Sequence, residues 1–471
     1  MFDPIVYAAR RNALVTRLGT RLPGRQGASG IVAFPGNGES PANYADNCHS
    51  FRQDSSWLYF FGIDAPGMAA IIDLDEGKTT LFASDPAMSD LIWTGPAPSA
   101  AEYGSMAAVD RVLPPDAFRA ALAAAAGAGR RVRYLPPYRD DVVIALAGAL
   151  GLQASGVKSG ADPDLIATVI SLREIKEERE IVELEKAVGI SVDMHRAVLR
   201  EARAGWTESQ AAALVSYVAA QAGARLSFST IATTKGEVLH NHDHSRILER
   251  GGSFLLDAGA EAPSGYAGDL TTSFPIGARF SPRQADIYRL LLRMFGRATA
   301  ALAPGRAFLD VHRLVCLELA SGLKELGIMK GDPAEAVSCG AHALFMPHGL
   351  GHMIGLDVHD MEALGEDAVG YGGTPRSGQF GLSSLRLAKR LVPGMVHSVE
   401  PGIYFIPGLI DSWRADGLHR EFIDYGALEG WIGTGGMRNE EDWLVTESGA
   451  RRLGPEFDKS LEAVEAARSG A

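Results

Sequence analysis

Residues 253–275 read SFLLDAGAEAPSGYAGDLTTSFP, two apolar strand-like segments, SFLLDAGAE and GYAGDLTTSFP, around the turn-like APSG. This reading places Asp257 and Asp269 on two antiparallel strands of one hairpin. Either aspartate taken alone reads equally well as a turn former beside its Ala-Gly neighbours. Taken together they pose a conflict, because an ionised carboxylate away from water is costly without a partner and two that face each other repel. A multivalent cation resolves it.

A second pair of segments repeats the pattern. GMVHSVEPGIYF, residues 394–405, carries Glu400 in a strand interrupted by Pro401, and GMRNEEDWLVT, residues 436–446, carries Glu440, Glu441 and Asp442 ahead of an apolar strand. Between the two pairs lies FMPHGLGHMIGLDVHD, residues 345–360, with His348, His352 and His359. Its glycines and proline speak against a helix presenting two histidines four residues apart to zinc. Four carboxylates and an imidazole suit two divalent ions that share a bridging carboxylate and a bridging hydroxide. A structural zinc would want thiolates and histidines instead.

The rest of the chain sets the frame. At 471 residues with 46% hydrophobic content it is long enough for two cores, so two domains are expected. The three cysteines, Cys48, Cys316 and Cys339, are odd in number and outside any C-x-x-C spacing, which argues against a disulfide framework and a thiolate zinc site and for a reducing, cytoplasmic setting. No apolar run has the length of a membrane span, and arginines occupy the place of a signal peptide's apolar core. A formal net charge of −12 disfavours nucleic acid and anionic membrane as partners.

Residues 50–84 read as a hairpin-rich sheet, residues 117–128 as a helix and RRVRYLPP as a further strand, together an α/β amino-terminal domain. The small, polar stretch 151–164 reads as a linker, which divides the chain into an amino-terminal domain 1–165 and a second domain 166–471. Beyond it, Ile181, Leu184, Val188, Val192 and Leu199 share one stripe of a long amphipathic helix, with Ser171 and Glu174 as its cap. His195 falls on the same stripe and reads as a satisfied core histidine. Helices are expected near 207–222, 283–303 and 308–327, and a strand through 240–244 would set His240, His242 and His244 on one face.

The motifs PHGLGH, DVHD, VEPGIYF, DAGAE, GYAGDLTTSFP and NEED resemble the metal-binding and catalytic motifs of the pita-bread metallopeptidases, in the branch that contains aminopeptidase P and prolidase. FRQDSSWLYFFG and IWTG are similar to that branch's amino-terminal domain. The resemblance implies an α/β two-domain chain, a smaller creatinase/prolidase-like α/β domain followed by a pita-bread catalytic domain. It also implies Asp257, Asp269, His352, Glu400 and Glu440 as ligands of two divalent metal ions, with Asp269 and Glu440 bridging both. The Arg438-x-Glu440 spacing selects Glu440 over Glu441. By the same resemblance His348, His359 and His240 act around the metals without binding them, and manganese is the expected ion, with cobalt, zinc or iron as other occupants. His397, at odd strand spacing from Glu400, points to the opposite face.

The resemblance further implies hydrolysis of the bond preceding proline, a tertiary amide without an N–H. A metal-bridging hydroxide would attack, Glu400 would shuttle its proton, and His348 and His359 would stabilise the oxyanion. GLSSLRLAKRLVPGMV resembles the prolidase version of its segment, with Arg386 clamping the substrate carboxylate and Arg438 beside the metals as a second carboxylate-binding residue. An Xaa-Pro dipeptidase is therefore expected, with aminopeptidase P, acting on longer Xaa-Pro peptides, as the alternative. A pita-bread binding protein without catalysis is disfavoured because all five ligand positions are filled. A homodimer is implied, the glycine-rich stretch 366–385 reads as a mobile loop near the clamp, and residues 406–430 are a long insertion.

Overall fold

The computed structural model describes residues 2–20 and 29–469, and the chain divides into two compact units. The first comprises Met1–Arg173 with Met361–Gly365, and the second Glu174–Asp360 with Glu366–Ala471. The boundary drawn from sequence at 165/166 falls inside the helix Pro163–Arg173.

In the first unit a five-stranded sheet runs in the order Arg111–Leu113, Lys78–Phe82, Ala69–Asp73, Ile31–Pro35, Val132–Arg133. The two outer pairings are parallel and the two inner ones antiparallel. The hairpin at Glu76-Gly77 and the strand within RRVRYLPP stand where the sequence places them, as does the helix Ala117–Gly127. Phe82, Phe118, Leu122 and Leu146 fill the space between this sheet and its helices.

Two expectations fail here for local reasons. Within the stretch read as hairpin-rich, Ser55–Phe61 is a helix: Asp54 caps it by accepting from the Trp57 N–H at 2.9 Å, and Gly62 closes it. All seven residues are buried, so no amphipathic period distinguishes the run from a strand. The supposed linker 151–164 is a packed corner instead. It contains the short helix Ala154–Val157, whose Val157 carbonyl accepts from the Tyr134 hydroxyl at 3.0 Å, and Asp162 is buried against Arg133 at 2.5 Å.

The second unit opens with the helix Glu178–Glu201, which buries Ile181, Leu184, Val188, Val192 and Leu199 as the stripe predicts. Its cap is Glu177 with Glu180 rather than Ser171 with Glu174, because Ser171 belongs to the preceding helix. His195 is buried with both ring nitrogens bonded, Nδ1 to Thr272 Oγ1 and Nε2 to the Ala258 carbonyl, each at 2.9 Å. Helices Glu208–Gln221, Pro282–Ala300 and Phe308–Glu325 follow near their predicted places.

Two strand systems form the floor of this unit. Ser253–Asp257 pairs antiparallel with Thr271–Pro275, Asp257 opposite Thr271. Val396–Val399 pairs with Glu441–Val445, and Gly402–Tyr404 with Gly436–Arg438. The systems join where Thr271 bridges Glu440, the Glu440 N–H donating to the Thr271 carbonyl at 3.1 Å. Lys459, buried, donates to the carbonyls of Thr271 at 3.0 Å and Glu440 at 2.8 Å, one from each system. No helix among the described residues is long and apolar enough to cross a membrane. Residues 406–430, unassigned from sequence, hold the helices Pro407–Asp416 and Tyr425–Leu428.

Candidate active site

One cavity of about 580 Å³ in the second unit is lined by all ten residues singled out from the sequence: Asp257, Asp269, His352, Glu400, Glu440, His240, His348, His359, Arg386 and Arg438. Asp257 arrives at the end of its strand. Asp269 lies just before Thr271–Pro275, its N–H donating to Asp442 Oδ2 at 2.9 Å. Glu440 is held by the Thr271 hydroxyl at 2.7 Å. Alternation along the strand sends Glu441 the other way, to Arg452 at 3.4 Å and Lys459 at 3.7 Å, so Glu440 and not its neighbour faces the cavity.

The segment 345–353 is laced to the strand pair that carries Glu400. Tyr404 N–H donates to the Phe345 carbonyl, Glu400 N–H to Leu350 and Ser398 N–H to His352, at 2.9, 2.8 and 2.9 Å. A side chain at Gly351 would put its Cβ 2.3 Å from the Ser398 carbonyl oxygen, which is why a glycine stands there. His352 then has Nδ1 3.1 Å from the Met353 carbonyl, so Nδ1 carries the proton and Nε2 presents its lone pair to the cavity. That nitrogen lies 3.4 Å from Asp269 and 3.7 Å from Glu400. The ligand atoms of Asp269, His352 and Glu440 all lie within 4.8 Å of one another.

Burial first, and then the neighbouring carboxylates, push the acid pKa of Asp269 and Glu440 well above the ordinary range; burial also raises that of Glu400. The cluster therefore demands positive charge, and Arg438 supplies some of it. Oδ1 of both Asp257 and Asp269 is buried without a hydrogen-bond partner among the described residues. Orphaned carboxylate oxygens, a crowd of four acids and one aimed imidazole fit a pair of divalent cations.

Three sequence expectations are refined at this level. The guanidinium of Arg438 is buried and already committed: Nη2 to Asp257 at 2.5 Å, Nη1 to the Tyr404 hydroxyl at 2.9 Å and Nε to Thr271 Oγ1 at 3.1 Å. That commits three of its five N–H donors, one of them to orienting Asp257, while the residue still lines the cavity. His348 has Nδ1 2.7 Å from the Gly349 carbonyl and Nε2 2.9 Å from the Tyr404 hydroxyl. Burial, and then Arg438, lower its pKa to about 3, so the ring is neutral; its one N–H goes to Gly349, and Nε2 accepts from Tyr404. As placed, it has no proton to offer an oxyanion. Residues 240–244 are not a strand, so His240 and His242 meet the cavity from an irregular segment.

His359 stands against His352, ring centroids 3.9 Å apart, on the cavity wall. Arg386 reaches the wall from the segment after the 3₁₀ turn Leu382–Ser384, with Nη1 3.2 Å from Glu366. A Cβ at Gly370 would lie 1.7 Å from the Arg386 carbonyl oxygen, so the two backbones meet only because residue 370 is glycine. The stretch read as a mobile loop is pinned by Arg376, which bonds Asp367 at 2.7 Å, the Ser383 and Leu385 carbonyls at 2.9 Å each, and Glu366. His397 packs edge-on against Phe308 and is not among the residues lining the cavity. Tyr404, Thr271 and Asp442 were not assigned roles from sequence; the strand period from Asp269 to Thr271 and from Glu440 to Asp442 was the available signal.

Known proteins share this construction. The family model described as Metallopeptidase family M24 matches residues 182–447, and the one described as Aminopeptidase P, N-terminal domain, matches residues 7–133. The human Xaa-Pro dipeptidase is 32% identical over 484 residues, covering 99% of this chain and 93% of that protein. Among solved structures, proline aminopeptidase P II from Yersinia pestis superposes with a TM-score of 0.80 at 27% identity, covering 100% of both chains. Aminopeptidase PepP of Pseudomonas aeruginosa does so at 0.81 and 26% identity, covering 100% of this chain and 98% of its own. With its matched segment spanning more than half of the sequence, the chain belongs to metallopeptidase family M24.

Proposed function

We propose that this metallopeptidase hydrolyses the Xaa-Pro imide bond of dipeptides ending in proline. The observation that carries the reading is Arg386, a guanidinium on the wall of the same cavity as the carboxylate cluster, with Glu366 beside it to set its angle. A dipeptidase must bind a free carboxylate one residue beyond the scissile bond, and an arginine fork is suited to it.

Asp257, Asp269, His352, Glu400 and Glu440 would hold two divalent cations. When bound there, such ions supply charge against the four carboxylates, polarise the scissile carbonyl and acidify a water. Glu400, on the cavity wall, takes the proton of the attacking water and delivers it to the proline nitrogen as the C–N bond breaks. His359 donates to the oxygen that becomes negative, and His240 lines the substrate side of the cavity. His348 works through Tyr404, whose hydroxyl it fixes together with Arg438. Oxygen-rich ligation with one imidazole supports manganese as the resident ion. The three cysteines are unpaired, which supports a reducing, cytoplasmic setting, and we propose a homodimer by analogy with the family.

A second reading, an aminopeptidase P acting on longer Xaa-Pro peptides, draws on the solved structures named above. Turnover of Ala-Pro against Ala-Pro-Xaa tripeptides separates the two. Dipeptide cleavage is expected to dominate and to fall about 10–100-fold in kcat/KM in Arg386→Ala, the loss of a charged hydrogen-bonded pair. Tripeptide cleavage that equals or exceeds it would install the second reading. Glu400→Gln is expected to abolish turnover of either substrate.

A further inference from the structure

Spacing along the chain offers no thiolate metal site, but the fold builds a candidate. His312 and Cys316, one turn apart on the helix Phe308–Glu325, face His342 on the 3₁₀ turn Ala341–Leu344. Ligand atoms of the three lie within 4.8 Å of one another, with Cys316 Sγ 3.4 Å from His312 Nε2. All three are closed to solvent, at 1%, 0% and 1% exposure for His312, Cys316 and His342. Their nitrogens are nonetheless unmet: both ring nitrogens of His342 and Nδ1 of His312 have no hydrogen-bond partner among the described residues. His195 shows what a core histidine does otherwise, with both nitrogens bonded. Three orphaned polar atoms are a heavy cost for a packed interior unless something completes them.

A separate cavity of about 250 Å³ lies against Cys316 and His342 and gives a route in; Arg313, Ser338 and Gln379 form part of its wall. We propose that His312, Cys316 and His342 bind one zinc-class divalent cation, distinct from the oxygen-rich centre, with its fourth position open to the cavity. Two imidazoles and one thiolate suit zinc, where the carboxylate cluster suits harder ions. The Arg313 guanidinium favours an anion or a polarised water as the fourth ligand. Burial lowers the pKa of His312 to about 3 and of His342 to about 4, keeping both rings in the neutral form that ligates. It raises that of the Cys316 thiol, so the S–metal bond forms as the S–H bond breaks and the proton leaves to solvent.

Cobalt(II) is the probe, because a thiolate bound to it gives a near-ultraviolet charge-transfer band and no residue assigned to the oxygen-rich centre is a thiol. Chelator-treated full-length protein titrated with cobalt should develop this band, with an amplitude equivalent to one thiolate-bound ion per chain and saturation by three cobalt ions per chain, two of them in the oxygen-rich centre. The band should vanish in Cys316→Ser, persist in Cys339→Ser and need at least about tenfold more cobalt in His342→Gln. Absence of the band from the native protein, at cobalt levels that restore peptidase activity, would overturn the proposal whether or not the variants fold. So would a band that survives in folded Cys316→Ser or is lost in Cys339→Ser.

Discussion

At the scale of single residues, the acids, histidines and arginines that converge on the cavity were legible, and the side chains that hold them in place were not. Asp257, Asp269 and Glu400 announce themselves as acids within apolar strands, and His352 by its motif. Tyr404 and Thr271 look like ordinary strand residues, since their part is a hydrogen bond that exists only once distant segments meet. The partners of Arg438 were hidden for the same reason: spacing sets it beside Glu440, but only the fold reveals its bonds to Asp257, Tyr404 and Thr271. The Tyr404 hydroxyl, whose pKa burial raises to about 12, stays protonated and links Arg438 to His348. Tyr404→Phe removes both bonds and leaves the ring in place. Steady-state kinetics on an Xaa-Pro dipeptide should give a kcat lower by about 10–100-fold, the usual effect of losing such a supporting partner. KM should change little.

At the scale of elements, the strong periodic signals held, while punctuation marked the hairpin at Gly77 correctly and misled elsewhere. The helix Glu178–Glu201 was legible because its apolar stripe runs over many turns; its start was misplaced because Ser171 closes one helix just before the next begins. Glycine and small polar residues at 151–164 and 366–385 read as loose chain, although here they permit tight approach, as Gly370 does against Arg386. Gly351 makes the same point within the site. Gly351→Ala forces its Cβ against the Ser398 carbonyl, so one of two laced segments must move. The expected cost is about 1–3 kcal/mol, read as a lower thermal midpoint, with a loss of activity because His352 is the next residue.

At the scale of the whole molecule, stability should depend on pH through histidines buried as neutral rings. Burial first, and then the charge of Lys459, lower the pKa of His195 from 6.5 to about 3. Between these values the unfolded chain binds a proton that the native chain refuses. This contribution is therefore fully present above about pH 6.5 and is lost progressively as pH falls toward 3. Denaturant unfolding across that range should show the decline, and His195→Gln should make it shallower while lowering the plateau. Two domains and an α/β class were legible from length and alternation, but the join between the strand systems was not, because it rests on Lys459, far along the chain from Thr271. That join gives the protein a timetable. During synthesis the Asp257 hairpin is made first, the Glu400 and Glu440 strands much later, and the ammonium that bridges their carbonyls later still. A ribosome-bound chain stopped before residue 459 therefore holds the candidate ligands without the clasp that fixes their floor, and peptidase competence should arrive late in translation.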